Sequence, residues 1–342
     1  MFTVLLSFWG KRNVGIDLGT ANTLLYVSGR GLVLQEPSYI AVNSKTGQYI
    51  AVGDAAKAMM GKAPFPIKVI RPLRDGVIAD FDSANKMINM FIHRALNSNN
   101  KVKNLVVGVP SGVTDVEKRA VHEAVSGRAE HVFLIDEPLA AAIGAGLPVT
   151  EPIGSMIVDI GGGTTEIAII SLGGAAIKNS LRIAGDEFSY SIARYVRKNF
   201  NIIIGEKTAE IIKIKLGNAK ADSEFDDHSY PFRGIHILSG LPMTVDIKAA
   251  QVRDAMSDSL RAIAKAIKEC LELSPPELAS DIVEDGVMIT GGGSLVRGIN
   301  VYISDELGIL TCVAEDPLLS VVNGTGQIVE QINNYSAKLS FM

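Results

Sequence analysis

The chain has 342 residues, 47% hydrophobic and 20% charged, with a net charge of −4. That length exceeds one ordinary hydrophobic core, so two lobes are expected, and the slight acidity gives nucleic acid no electrostatic foothold as main partner. Two cysteines, Cys270 and Cys312, exclude a disulfide framework and read as reduced, buried thiols of a cytoplasmic protein; five scattered histidines offer no transition-metal motif.

The first nine residues read MFTVLLSFW and are followed by Lys11 and Arg12. This run is far shorter than the roughly 20 residues that cross a bilayer. Its cations follow the apolar stretch, the reverse of a signal peptide. At about 100° per residue, Phe2, Val4, Leu5, Leu6, Phe8 and Trp9 share one broad arc. Two readings stand level on these residues: an amphipathic helix lying in a membrane interface, or a first element packed on the body.

Short apolar strands then alternate with helical patterns, which predicts an α/β architecture. Strands are expected over 14–17, 23–27 and 32–35, and a further hairpin over 39–43 and 49–53 around Lys45-Thr46-Gly47. Helices follow over 82–96 and 115–126, strands over 105–109 and 132–135, and a closely packed small-residue helix over 138–145. The pattern restarts at Ser155 with a strand over 156–159, a glycine turn, and strands over 166–171 and 175–180. Helices are expected over 187–200, 208–216 and 252–273, the last stopped by Ser274-Pro275-Pro276. A final glycine cluster, Gly291-Gly292-Gly293, joins a strand to a helix starting near Leu295.

The restart duplicates a chemical device. Asp17-Leu18-Gly19-Thr20-Ala21-Asn22 and Asp159-Ile160-Gly161-Gly162-Gly163-Thr164-Thr165 each end an apolar strand in Asp and turn through Gly and Thr. Glycine lets backbone amides approach phosphate oxygens, and threonine adds a hydroxyl. Asp17 and Asp159 are placed to bind Mg²⁺, through water because that ion gives up its hydration reluctantly. One such turn is a common β-turn; two copies a domain's length apart, facing each other across a cleft, point to a nucleoside triphosphate. The P-loop and the Rossmann fingerprint are both missing from the sequence. Between the copies, Glu137 follows a strand and precedes a helix. By itself it reads as a helix-start carboxylate favoured by the macrodipole, with water positioning as the other reading.

Taken together, these runs resemble the phosphate, connecting and adenosine motifs of the actin/Hsp70/sugar-kinase superfamily. GIDLGTANTLLY from Gly15, IRPLRDGVIADF from Ile70, LIDEPLAAAIGAGLP from Leu134, VDIGGGTTE from Val158 and PPELASDI from Pro275 resemble the MreB family of bacterial actins, over about 13–327. The resemblance implies an α/β, actin-like ATPase fold of two lobes around a nucleotide cleft. Lobe I would take 13–147 plus 317–342 (small subdomain about 36–64), and lobe II 148–316 (small subdomain about 184–247). It implies ATP/ADP and Mg²⁺ as ligands, with Asp17 and Asp159 in the metal's coordination sphere. Gly19, Thr20, Ala21, Asn22, Gly161, Gly162, Gly163 and Thr164 would clamp phosphate, and Glu210, Lys213, Gly291, Gly292 and Gly293 would contact adenosine. Glu137 becomes the residue that polarises the hydrolytic water, assisted by Thr164.

The resemblance also implies head-to-tail protofilaments, paired antiparallel, on the cytoplasmic face of the membrane in the service of cell shape, with membrane-bound morphogenesis proteins as partners and no nucleic acid. Residues 1–12 become a membrane-binding segment inserting Phe2, Leu5, Leu6, Phe8 and Trp9. The family's apolar membrane loop corresponds here to 97–103, which is polar and basic (NSNNKVK), so anchoring would rest on the N-terminal helix with anionic lipid attracting the loop. Competing expectations are a non-polymerising membrane adaptor, an Hsp70-type chaperone needing a further domain, and a small-molecule kinase needing polar insertions.

Overall fold

The computed structural model describes residues 12–97, 102–222, 224–335 and 339. The segment expected to bind membrane (1–11) and most of the basic loop (98–101) lie outside the described residues. Chain contacts divide the molecule into two compact units. One runs to Glu151 and takes in Leu172–Gly174 and the chain from Leu319; the other holds Pro152–Ser171 and Ala175–Leu318.

The first unit opens with β1 (Val14–Leu18), β2 (Asn22–Val27) and β3 (Gly31–Pro37), each antiparallel to the next. Next come β4 (Ile40–Asn43), β5 (Tyr49–Val52), α1 (Asp54–Met59) and β6 (Ile67–Ile70). These form a small three-stranded sheet, order β5-β4-β6, closed over Tyr39, Ala41 and Ala56. β7 (Leu73–Arg74) and β8 (Val77–Ile78) make a hairpin whose Asp75-Gly76 turn has φ of 50° and 76°, the backbone that an Asp-Gly pair favours. α2 (Phe81–Leu96) starts where the Asp80 carboxylate accepts the Ser83 N–H at 3.0 Å. β9 (Val102–Val109) follows, then α3 (Asp115–Ser126), opened by a capping box between Thr114 and Glu117. β10 (Ala129–Asp136) and α4 (Glu137–Gly144) complete this pass. The main sheet runs β10-β9-β1-β2-β3, with β1, β9 and β10 parallel. β1 and β9 are almost continuously apolar because both their faces are covered.

The second unit carries β11 (Ser155–Ile160), β12 (Thr165–Ser171), β13 (Gly174–Leu181), α5 (Gly185–Phe200), β14 (Ile202–Ile203) and α6 (Glu206–Leu216). It continues through β15 (Ser229–His236), β16 (Pro242–Lys248), α7 (Ala249–Glu272), α8 (Pro276–Asp285), β17 (Val287–Thr290), α9 (Ile299–Leu307) and β18 (Thr311–Val313). Its sheet runs β18-β17-β11-β12-β13, with β11, β17 and β18 parallel and β12 antiparallel to β11. Strand for strand this repeats the first unit, so the duplicated α/β design read from the two Asp-Gly-Thr turns is present in the fold. The core of the unit is Val158, Ile160, Phe188, Ile192, Ile212, Met256 and their neighbours, all buried.

Two expectations are corrected here. The helix after the glycine cluster does not start near Leu295: Gly292–Leu295 is a single 3₁₀ turn, and α9 begins at Ile299 behind Gly298, whose φ of 69° breaks the helical path. Cys312 is exposed while Cys270 is buried. Cys312 lies on β18, at the edge of the sheet, and alternation puts Thr311 inward and Cys312 outward.

The chain then returns to the first unit as α10 (Ser320–Glu330) and α11 (Ile332–Tyr335). α10 crosses α4 at backbone distance. A Cβ on Gly144 would lie 1.8 Å from the Ser320 carbonyl oxygen, and one on Gly324 would lie 1.8 Å from that of Ala140. The small-residue run Ala140-Ala141-Ala142 is therefore the surface that lets α10 seat against α4.

Candidate functional site

In the first unit, Asp17 lies one residue before the end of β1, in register with Gly108 on β9, and Gly108 pairs onward with Ile135 on β10. Three parallel strands thus finish at one edge, which is where α/β sheets present ligand-binding groups. The turn after β1 is tight: a Cβ on Gly19 would meet the Asn22 carbonyl oxygen at 2.7 Å. Its shape is held from outside. The Ser38 hydroxyl donates to the Gly19 carbonyl at 2.7 Å and sits 2.9 Å from the Thr23 hydroxyl, and the Ser38 N–H donates to the Ala21 carbonyl at 3.0 Å. Gly76, at the tip of the β7–β8 hairpin, donates its N–H to Thr20 Oγ1 at 3.0 Å. That leaves the Thr20 hydroxyl proton to be given elsewhere. The Arg71 guanidinium donates to the Thr20 carbonyl at 3.4 Å and lies over the Tyr39 ring.

Glu137 opens α4 directly after β10, with Pro138 behind it in the first turn. Its side chain is buried, 8% exposed, and passes over Gly108, where a Cβ would stand 3.3 Å from Glu137 Cγ. Gly108 therefore leaves room for Glu137 beside the end of β1. A buried carboxylate in the first turn of a helix is favoured by the N-terminal dipole, and that position also aims it past the sheet edge.

The second unit builds the same device around Asp159, near the end of β11. The Gly161 N–H donates to the Thr164 carbonyl at 2.9 Å, closing the turn, and Thr164 is buried. The first N–H groups of α5 are used on this turn: Gly185 donates to the Gly161 carbonyl at 3.1 Å and Asp186 to that of Gly162 at 2.8 Å. These helix-start donors need partners outside the helix, and the turn supplies them, so α5 fixes its position. Lys213 on α6 donates to the Gly185 carbonyl at 2.8 Å and to Glu210 at 2.6 Å, while Ser189 donates to Glu210 at 2.7 Å. Glu210 and Lys213 thus stand next to the Gly161-Gly162 turn.

Gly291 has φ of 81°, and a Cβ there would lie 2.4 Å from Asp159 Oδ1. Only glycine satisfies both the backbone angle and that approach. The Thr290 hydroxyl donates to Asp159 Oδ1 at 3.1 Å. So the second unit gathers Asp159, Gly161, Gly162, Gly163, Thr164, Glu210, Lys213, Gly291, Gly292 and Gly293, and the first gathers Asp17, Gly19, Thr20, Ala21, Asn22 and Glu137. Sequence reading missed Ser38, Arg71, Gly76, Gly108, Gly185 and Thr290. Thr290 precedes the glycine cluster and Arg71 and Gly76 lie in the quoted IRPLRDG run, whereas nothing around Ser38 marks it.

Asp159 is fully buried, and burial pushes its carboxyl up from 3.8 to about 7; the Thr290 hydrogen bond works downward and the nearby Glu166 carboxylate upward. Among the described residues no three His, Cys, Asp or Glu side chains converge as a metal-binding group. A divalent ion that keeps most of its water and takes oxygens from a phosphate chain needs only one or two carboxylates. A buried aspartate beside a second carboxylate fits such an ion, because a cation would relieve the desolvated charge.

A family profile described as MreB/Mbl protein matches residues 11–337. The chain belongs to the MreB/Mbl family. The MreB/Mbl chain is 42% identical to the cell shape-determining protein Mbl of Bacillus subtilis over 325 residues, covering 94% of this chain and 97% of that one. It is 46% identical to the cell shape-determining protein MreB of Escherichia coli K12 over 337 residues, 96% of each. In structure it is similar to MreB5 of Spiroplasma citri bound to AMPPNP, with a TM-score of 0.90 and 38% identity over 96% of this chain and 98% of that one. The double helical filament of MamK, 20% identical with a TM-score of 0.80 over 94% and 99% of the two chains, shares the fold. The MreB/Mbl chain is thus a bacterial actin homologue with the actin-like ATPase fold. No described helix is long and apolar enough to cross a membrane.

Proposed function

We propose that this chain binds and hydrolyses ATP and assembles head to tail into filaments on the cytoplasmic face of the membrane, where the polymer organises cell shape. The observation that carries this reading is the same device built twice: a core strand ending in Asp17 or Asp159, followed by a turn whose backbone is locked by outside hydrogen bonds. The AMPPNP-bound and ADP-bound MreB5 relatives support nucleotide as the ligand. Gly19 to Asn22 and Gly161 to Thr164 would hold the phosphates; Glu210, Lys213 and Gly291 to Gly293 would hold the adenosine. Glu137 orients the attacking water, with Thr164 beside the γ-phosphate. A Mg²⁺ ion held by Asp17 and Asp159 would supply charge neutralisation on the phosphates. The N-terminal Phe2, Leu5, Leu6, Phe8 and Trp9 act as a membrane anchor, and avidity along the polymer makes a weak anchor sufficient. Membrane-bound morphogenesis proteins are the expected further partners.

Sedimentation of the full chain with Mg²⁺ and ATP, against a nucleotide-free control, tests assembly. Pelleted filaments visible by electron microscopy only with nucleotide are expected. Protein that hydrolyses ATP yet stays soluble at every concentration, with and without anionic vesicles, would turn the reading toward a membrane adaptor.

The buried Asp159 gives a pH signature. Its folded value is raised, so between about 4 and 7 the native chain holds a proton that the unfolded chain has lost, and stability falls as pH rises through that window. A divalent cation displaces the same proton, so Mg²⁺ affinity should climb as pH rises towards 7 and level off above it. Calorimetry in buffers of different ionisation enthalpy should show about one proton released per Mg²⁺ bound at pH 6 and almost none above pH 8. Unchanged proton release in Asp159→Asn would remove Asp159 from the cation site.

A further inference from the structure

Glu166 is the last residue of the VDIGGGTTE run, two positions beyond the phosphate turn that ends at Thr164. It is only 1% exposed, on β12, a strand buried from Thr165 to Ile170. Burying a carboxylate is costly unless a partner or a cation meets its charge.

Strand register defines what surrounds it. Asp159 on β11 pairs with Glu166 of β12 on one side and with Thr290 of β17 on the other. Directly paired residues share one face of a sheet. Ser180 on β13 joins this row by donating its hydroxyl to Glu166 Oε1 at 2.6 Å, as the Thr290 hydroxyl donates to Asp159 Oδ1 at 3.1 Å. Thr290, Asp159, Glu166 and Ser180 thus cross four neighbouring strands in sheet order, with the two acids in the middle and a hydroxyl at each end. The next pair on the same face, Ile157 and Ala168, is apolar and fully buried.

Like charges directly opposed across two strands destabilise a sheet, and here both are withdrawn from water. An apolar pair such as Ile157 and Ala168 would pack this position at no electrostatic cost. A divalent ion at Asp159 reverses the balance, because a second negative group close by then attracts it.

We propose that Glu166 is a positioning residue of the Mg²⁺ site, accepting hydrogen bonds from the ion's water shell while Ser180 holds its carboxylate in place. Mg²⁺ keeps several waters and is held through one or two carboxylates and phosphate oxygens. Those waters are hydrogen-bond donors, and Asp159 and Glu166 offer them acceptors from adjacent strands. Thr165, between the turn and Glu166, donates its hydroxyl to the Ile183 carbonyl at 2.7 Å, fixing the start of β12 to the segment that leads into α5. Locked partners of this kind are what set the place and affinity of an ion. The inference rests on the reading of Mg²⁺ and nucleotide in the preceding subsection.

The test measures ADP affinity of the full chain by calorimetry, in Mg²⁺ and in EDTA at about pH 8, where Asp159 is ionised. Wild type, Glu166→Gln and Ser180→Ala are compared. Glutamine keeps the shape and an oxygen that accepts from Ser180, and removes the charge. The gain in ADP affinity supplied by Mg²⁺ should fall about tenfold or more in Glu166→Gln and about threefold in Ser180→Ala. Thermal unfolding in EDTA without nucleotide gives a reading that a merely structural residue would not: with the opposed charge gone, the Glu166→Gln midpoint should hold or rise. A Glu166→Gln protein that keeps the wild-type gain overturns the role and leaves Asp159 as the cation's ligand. So does one that loses affinity equally in Mg²⁺ and EDTA and unfolds earlier, which is the behaviour of a packing residue. A Ser180→Ala protein with the full gain overturns the positioning by Ser180. A wild-type chain that binds ADP equally well in Mg²⁺ and EDTA overturns this inference and the cation reading together.

Discussion

Glu137→Gln is expected to bind ATP about as tightly as the wild type and to release phosphate roughly a hundredfold to a thousandfold more slowly. The amide keeps the shape that fits over Gly108 and under the 8% exposure of the site. What it loses is the negative oxygen that, in the proposed role, draws a proton from the attacking water. An interaction made only as the bond to phosphorus forms should lower turnover without touching ground-state affinity. The two quantities separate cleanly in a single-turnover phosphate assay run beside titration of a fluorescent ATP analogue. Filaments of the variant should accumulate and persist, because the nucleotide they hold stays uncleaved. Equal losses in affinity and turnover would falsify the water-positioning role and return Glu137 to its bland reading as a helix-start carboxylate.

That bland reading was the better one from sequence by itself, which shows where legibility ends. The turns after Asp17 and Asp159 announce themselves because close backbone packing restricts the residue type: only glycine fits where a Cβ at Gly19 would strike the Asn22 carbonyl or one at Gly291 would strike Asp159. The repeated strand order followed from that duplication. By contrast, Ser38, Gly76 and Thr290 act through hydrogen bonds whose partners are set by tertiary packing. A serine or threonine that locks a turn looks the same in sequence as one that faces water. Glu137 acquires its meaning from Gly108, an empty position on a neighbouring strand, and from the end of β1 beside it.

The errors have equally local causes. The apolar residues after Ser294 look like the start of a helix, but Gly298 takes a left-handed conformation and holds back the helical path until Ile299. Free cysteines are usually buried, which predicts a buried Cys312; its strand is a three-residue edge whose alternation turns it outward. The β15–β16 pair gives a divided signal: β16 alternates apolar and polar residues from Met243 to Lys248, but its partner β15 is interrupted by Pro231 and Gly234.

The crossing of α4 and α10 gives the second large effect, and it links stability to Glu137. Gly324→Ala adds one methyl group to a helix, which by propensity alone should stabilise by about 1 kcal/mol. At this site the methyl would sit 1.8 Å from the Ala140 carbonyl oxygen and 2.6 Å from its carbon. Backbone cannot rotate out of the way as a side chain can, so the helices must separate, and overpacking of that kind costs about 1–3 kcal/mol or more. Steric cost is expected to win, with a lowered unfolding midpoint. Gly127→Ala serves as the opposite control: Gly127 is in the right-handed helical region with φ of −60°, and nothing lies within 4 Å of its Cβ position. That change should leave stability unaltered or raise it by about 0.4–1 kcal/mol. Because α4 begins with Glu137, displacing α4 should also move the carboxylate. Gly324→Ala protein that remains folded is therefore expected to turn over ATP more slowly than its residual binding explains. Thermal unfolding with and without nucleotide, read beside single-turnover phosphate release, checks both halves. A variant with wild-type midpoint and wild-type turnover would mean that the crossing can open without moving α4, and Glu137 would then owe its position to the β10 strand end alone.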